Sequence, residues 1–107
     1  MGENGVGKSS FIMQYISHVF PECYEPALVD AFSKSITLND IPCILEIVDT
    51  STSDELRGLA DQWLRCGESF LLLFSLTSRS TLEFLKGVRE RLVERKGKEY
   101  PAVLVGN

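Results

Sequence analysis

The sequence predicts an α/β fold, a β-sheet with helices on both faces. Three observations predict it. Short apolar runs at residues 42–48, 69–76 and 101–105 have the length and content of interior strands. Other stretches repeat apolar residues three and four apart, the spacing of one helix face. The two kinds of segment alternate, the order that covers a sheet with helices. With 107 residues, 44% of them hydrophobic and 24% charged, the chain has the balance of one small domain that buries a core.

The elements follow in order. Phe11, Ile12, Tyr15, Ile16 and Val19 predict a helix over residues 8–17. Residues 20–30 hold Pro21 and Pro26 without periodicity and read as a long loop, a length often tied to function. Ile36 and Leu38 fall on one face of a half-buried strand at 33–38, and Asn39-Asp40 is a turn signal. Residues 42–48 then read as a sheet-core strand with Cys43 in its interior, ending at Asp49. After a polar loop at 50–55, Leu56, Leu59, Ala60, Trp63 and Leu64 mark a short amphipathic helix stopped by Gly67. Phe70-Leu71-Leu72-Leu73-Phe74 is the heart of a buried strand. Leu82, Leu85, Val88, Leu92 and Val93 define a helix over 80–96 with Gly97 at its end, and Pro101 opens a last strand through Val105.

Several function classes are excluded. The net charge is −4, and the basic residues Arg89, Arg91, Arg95, Lys96 and Lys98 alternate with Glu90, Glu94 and Glu99. That pattern is a solvated helix face, so no nucleic-acid partner is expected. The longest apolar run falls far short of the ~18 residues a membrane span needs. Val6 breaks the myristoylation pattern and Leu104-Val105-Gly106-Asn107 is no prenylation box, so no membrane anchor is expected in this chain. Cys23, Cys43 and Cys66 have neither disulfide parity nor metal-ligand spacing and fit reduced thiols of a cytoplasmic protein. His18, the single histidine, is assigned no role.

The chemistry lies at the start. Gly2-Glu3-Asn4-Gly5-Val6-Gly7-Lys8-Ser9 match G-x-x-x-x-G-K-[ST], the phosphate-binding P-loop. Glycines let backbone N–H groups wrap a phosphate where side chains would intrude. Lys8 supplies a point charge for the β- and γ-phosphates. Ser9 offers its hydroxyl to Mg²⁺ at the start of a helix whose dipole favours anions. The expected cradle therefore comprises Gly2, Asn4, Gly5, Val6, Gly7, Lys8, Ser9 and Ser10.

With this loop, Tyr24-Glu25-Pro26, Asp49-Thr50 after one strand and Val105-Gly106-Asn107 after another, the chain resembles the Ras-type small GTPases over essentially its whole length. Asp61-Gln62-Trp63-Leu64-Arg65-Cys66-Gly67-Glu68-Ser69-Phe70-Leu71 also looks like the Ras helix-to-strand junction. The resemblance implies a GTP/GDP switch in signal transduction whose two states differ in two loops. Its partners would be the guanine nucleotide together with effector, exchange-factor or activating proteins. It further implies that Asp49 holds Mg²⁺ through water, that Phe20 lies against the guanine, that Tyr24 closes over the phosphates and that Asp30 faces effectors. The location implied is the cytoplasm, or the inner face of the plasma membrane for a longer parent protein.

The departures from that family fall where its chemistry happens. Ala27 stands where a threonine hydroxyl would bind Mg²⁺, keeping only the backbone contact to the γ-phosphate. Asp49-Thr50-Ser51-Thr52-Ser53 replaces Asp-Thr-Ala-Gly-Gln, so Thr52 displaces the γ-sensing glycine and Ser53 stands, too short, for the water-orienting glutamine. Asn4 takes a glycine's place and leaves less room for an arginine finger. Weak GTP hydrolysis is expected, Ser53 being an ineffective catalytic residue. The alternative is a pseudo-GTPase interaction module with little nucleotide dependence. A nucleotide-binding protein that reads adenine is disfavoured by the placement of Asp49-Thr50.

Asn107 opens the family's guanine motif, whose aspartate lies beyond it. The expected extent is a partial small GTPase domain over residues 1–107, lacking the first central strand and the C-terminal strand and helices. Without that strand two rows of backbone groups stay unpaired, at about 1–3 kcal/mol for each one buried, unless the flanking strands close up and pair directly.

Overall fold

The computed structural model describes residues 1–18, 29–50, 57–97 and 100–107. Its elements are α1 (Lys8–Ser17), β1 (Val29–Leu38), β2 (Ile41–Thr50), α2 (Arg57–Cys66), β3 (Phe70–Phe74), α3 (Arg79–Lys96) and β4 (Ala102–Gly106). The α/β class is the one expected. The sheet, however, is split: among the described residues β1 and β2 form an antiparallel pair and β3 and β4 a parallel pair, with no bond joining them.

The β1–β2 hairpin turns through Asn39 and Asp40, both left-handed with φ of 49° and 64°. Asparagine and aspartate tolerate that region, and a two-residue left-handed link matches strand twist. The register runs from Leu38 opposite Ile41 to Val29 opposite Thr50. β1 therefore starts earlier than the apolar pattern suggests, because its first residues find ladder partners in β2. Lys34 fastens the hairpin to α1: its Nζ donates to the Tyr15 carbonyl at 2.7 Å and lies 4.1 Å from that ring's centre.

The expectation that residues 42–48 form a buried interior strand is corrected. Ile44 is 71% exposed and Cys43 only half-buried. Among the described residues β2 pairs with β1 alone, so its apolar run lacks the neighbours that would bury it.

The core lies on the other pair of strands. Leu64 of α2, Phe70 and Leu72 of β3 and Leu85, Val88 and Leu92 of α3 form one cluster, with Met1, Phe74 and Tyr100 against it. The α3 residues recur at helical spacing, so a single face of this helix is buried. Phe70 and Tyr100 meet edge to face, centroids 6.2 Å apart, and Lys96 donates to the Arg65 carbonyl at 2.5 Å, tying α3 to the end of α2. Buried Thr81 closes the turn after β3: its hydroxyl accepts from Ser75 N at 2.8 Å and donates to the Ser78 carbonyl at 2.6 Å. The solvated face of α3 is as expected at Arg89, Glu90, Arg91, Glu94 and Arg95, all exposed, while Lys96 is half-buried and Lys98 and Glu99 lie outside the described residues. Nearer the start of the helix Glu83 pairs with Lys86 at 2.7 Å and Arg79 at 3.7 Å.

Met1 explains why β2 and β3 do not close up, the arrangement now overturned. Phe70 N donates to the Pro101 carbonyl at 2.9 Å, so the even residues of β3 face β4 and the odd ones face away. On that far edge the Met1 amine donates to the Leu71 carbonyl at 2.6 Å and Leu73 N donates to the Met1 carbonyl at 2.8 Å. The edge β2 would need is taken.

Burial first, then the Lys8 charge, lowers the Met1 amine from 8.0 to about 6, with Asp49 opposing. Between those values the unfolded chain holds a proton that the folded chain does not, so stability rises as pH climbs from 6 to 8. For residues 1–107 with a free Met1 amine, unfolding free energies from urea titrations at the two pH values should differ by on the order of 2 kcal/mol. An N-acetylated chain should show no such rise.

Candidate functional site

The phosphate-loop sequence is bent by its glycines. Gly5 and Gly7 have φ of 85° and 94°, a region closed to most side chains. Gly2 is buried under the Leu73 carbonyl, which an added Cβ would strike. Val6, 3% exposed, anchors the loop's middle, while Asn4 and Gly5 face solvent. Gly7 caps α1, and Phe11 N donates to its carbonyl at 2.8 Å to begin the helix. No side chain caps α1 among the described residues, so none competes there with an anion for the first-turn N–H groups.

Lys8 folds back over the loop. Its Nζ donates to the Gly2 carbonyl at 2.6 Å and the Glu3 carbonyl at 3.1 Å. Burial pulls its pKa below the usual lysine value, while Asp49 and Glu3 pull the other way. Ser9 and Asp49, called from separate motifs, meet: the Ser9 hydroxyl donates to Asp49 Oδ2. Asp49 is 7% exposed near the end of β2. A hydroxyl and a carboxylate side by side are the hard oxygen donors Mg²⁺ takes, so the pair fits that ion.

Asn107 arrives from the far end of the chain. Its Nδ2 donates to the Val6 carbonyl at 2.9 Å, and its backbone bonds Phe74 at 2.9 Å and Leu76 at 2.8 Å. A Cβ on Gly7 would come within 2.5 Å of that same Nδ2. Loop, strand end and β4 thus interlock, with Ser10 half-buried in the first turn of α1.

The structure brings Gly2, Asn4, Gly5, Val6, Gly7, Lys8, Ser9, Ser10, Asp49 and Asn107 to one region. Phe20, Tyr24, Ala27, Thr52 and Ser53 lie outside the described residues, as does Cys23. Asp30 is placed by its backbone alone, opposite Asp49 in the hairpin ladder. Two features escape a reading by motif. Asn107 reads as the start of the guanine motif, and its side chain braces the loop. Glu3 sits at a variable position of the motif, and its Oε2 is buried without a hydrogen-bond partner among the described residues. The signal for it was a charge among glycines.

A family model described as the Ras family matches residues 1–107. The chain is 34% identical to "Ras-like protein rasU" of Dictyostelium discoideum over 107 residues, which are 100% of this chain and 50% of that one. It is 38% identical to "GTP-binding protein Rit1" of Mus musculus, covering 100% of this chain and 49% of the relative. For "Ras-like protein rasB" of Dictyostelium discoideum the identity is 37%, with 100% and 55% covered. The chain therefore spans about half the length of the curated relatives it matches.

Proposed function

This chain belongs to the Ras family, and on that premise we propose that it binds GTP and GDP with Mg²⁺ as a signalling switch whose hydrolytic step is impaired. The observation that carries the reading is the junction of Ser9 with Asp49 beside Lys8. An ammonium, a hydroxyl and a carboxylate are thereby gathered where α1 opens onto a glycine loop. In this reading Gly2, Asn4, Gly5, Val6, Gly7 and Ser10 surround the phosphates, and Lys8 neutralises them. Ser9 and Asp49 hold the cation. Phe20 meets the base, Tyr24 and Ala27 close over the phosphates, and Asn107 positions the loop from the base side.

The hydrolytic part rests on sequence. Thr52 and Ser53 remove the groups that sense the γ-phosphate and orient water, and phosphoryl transfer depends on such positioning. Effector, exchange-factor and activating proteins are the proposed partners, in the cytoplasm. No helix among the described residues is long and apolar enough to cross a membrane. The second reading, an interaction module with little nucleotide dependence, is favoured by Ala27, Thr52 and Ser53 together.

Titration of fluorescent GDP, GTP and ATP with and without Mg²⁺ decides between them. Tight, Mg²⁺-dependent GDP binding without ATP binding supports the switch, and no nucleotide binding leaves the module. Single-turnover GTP hydrolysis should fall below about 10⁻⁴ per second, and a rate at or above that value defeats the impairment.

A further inference from the structure

The phosphate loop holds one charge more than nucleotide binding explains. Glu3 lies between Gly2 and Asn4, its carbonyl accepting from Lys8 at 3.1 Å. Its carboxylate Oε2 is shut from solvent with no hydrogen-bond partner among the described residues. Glu3 and Asp49 both act on the Lys8 ammonium, so two carboxylates bear on the one cation meant for the phosphates.

That arithmetic has a consequence for any anion entering the loop. Lys8 alone would attract a diphosphate, but the carboxylates offset its charge and repel the newcomer, more strongly than in water because the site is partly buried. A divalent cation reverses the balance. Asp49, touching Ser9, is placed to ligate such a cation, whereas Glu3 acts through its charge on Lys8.

We propose that Glu3 is a specificity-determining residue of the phosphate site, one that weakens nucleotide binding more without Mg²⁺ than with it. This inference rests on the guanine-nucleotide reading above. A charge in this position penalises the cation-free complex far more than the cation-bound one, so its signature is a ratio of two affinities.

The test measures GDP dissociation constants by fluorescent-nucleotide titration in Mg²⁺ and in EDTA, for the wild-type chain, Glu3→Gln and Glu3→Ala, each checked for folding by circular dichroism. Glu3→Gln should tighten binding in EDTA about tenfold and in Mg²⁺ by less than about threefold, shrinking the ratio between the conditions. Glu3→Ala should shrink it likewise, which separates charge from any new hydrogen bond of the amide. A loop merely loosened or stiffened would shift both conditions equally, and an unchanged ratio in folded variants overturns the role of Glu3 while leaving nucleotide binding intact. Folded chains that bind no GDP in either condition overturn the nucleotide reading, and this inference falls with it.

Discussion

Lys8→Ala should weaken GDP binding by about 100-fold or more, measured by displacement of fluorescent GDP in Mg²⁺. The ammonium sits over the loop, bonded to the Gly2 and Glu3 carbonyls, and turning it to a phosphate exchanges those contacts for stronger, charge-assisted ones. Alanine removes the ammonium that offsets Glu3 and Asp49, leaving the bound Mg²⁺ to balance both carboxylates and the phosphates. The loss should exceed that of a surface lysine such as Lys86, which pairs with Glu83 in solvent and whose alanine variant should bind GDP normally. A loss below about threefold on Lys8→Ala would mean that nucleotide is held elsewhere or not by its phosphates.

Leu92→Ala should have the largest effect on stability. Leu92 is 0% exposed and lies in the cluster with Leu64, Phe70, Leu72, Leu85 and Val88, where α2 and α3 meet β3. Truncation leaves a cavity that a helix fixed at both ends closes poorly, at a cost of about 3–5 kcal/mol. A domain has only about 5–15 kcal/mol to lose. The urea midpoint should fall sharply, and GDP affinity should decline only as far as the folded fraction does. Leu104 of β4, 57% exposed, provides the contrast, because Leu104→Ala should change stability by less than about 0.5 kcal/mol. Equal effects at the two leucines would mean that the cluster is not the core.

Much of this was legible in the sequence, and the reasons can be read from particular residues. The phosphate loop was visible because its chemistry is local: glycines at 5 and 7 permit the backbone angles, and Lys8 and Ser9 follow directly. α3 was legible because Leu85, Val88 and Leu92 mark one face and Gly97, with φ of 78°, ends it. β2 was misjudged as interior because an apolar run records what a strand is suited to touch, whereas exposure depends on which strands lie beside it. The split sheet and the Met1 bonds to β3 depend on contacts between distant segments. No local period encodes them. The meeting of Ser9 with Asp49 was anticipated through resemblance, while the clamp of Asn107 on Val6 was not, since nothing in an asparagine after a strand names a carbonyl as its partner.

That clamp also sets an order of events. Val6 and Asn107 lie 101 positions apart, so Val6 is made well before its partner. A contact between such distant positions forms late, after the entropy of closing the intervening chain has been met, and during synthesis the early segment must wait for the later one. The loop can curl and α1 can start to wind as soon as they are made, yet their brace does not exist until β4 has paired with β3. Competence to hold a phosphate should thus appear only after β4 has docked, which makes nucleotide capture a reporter of that docking.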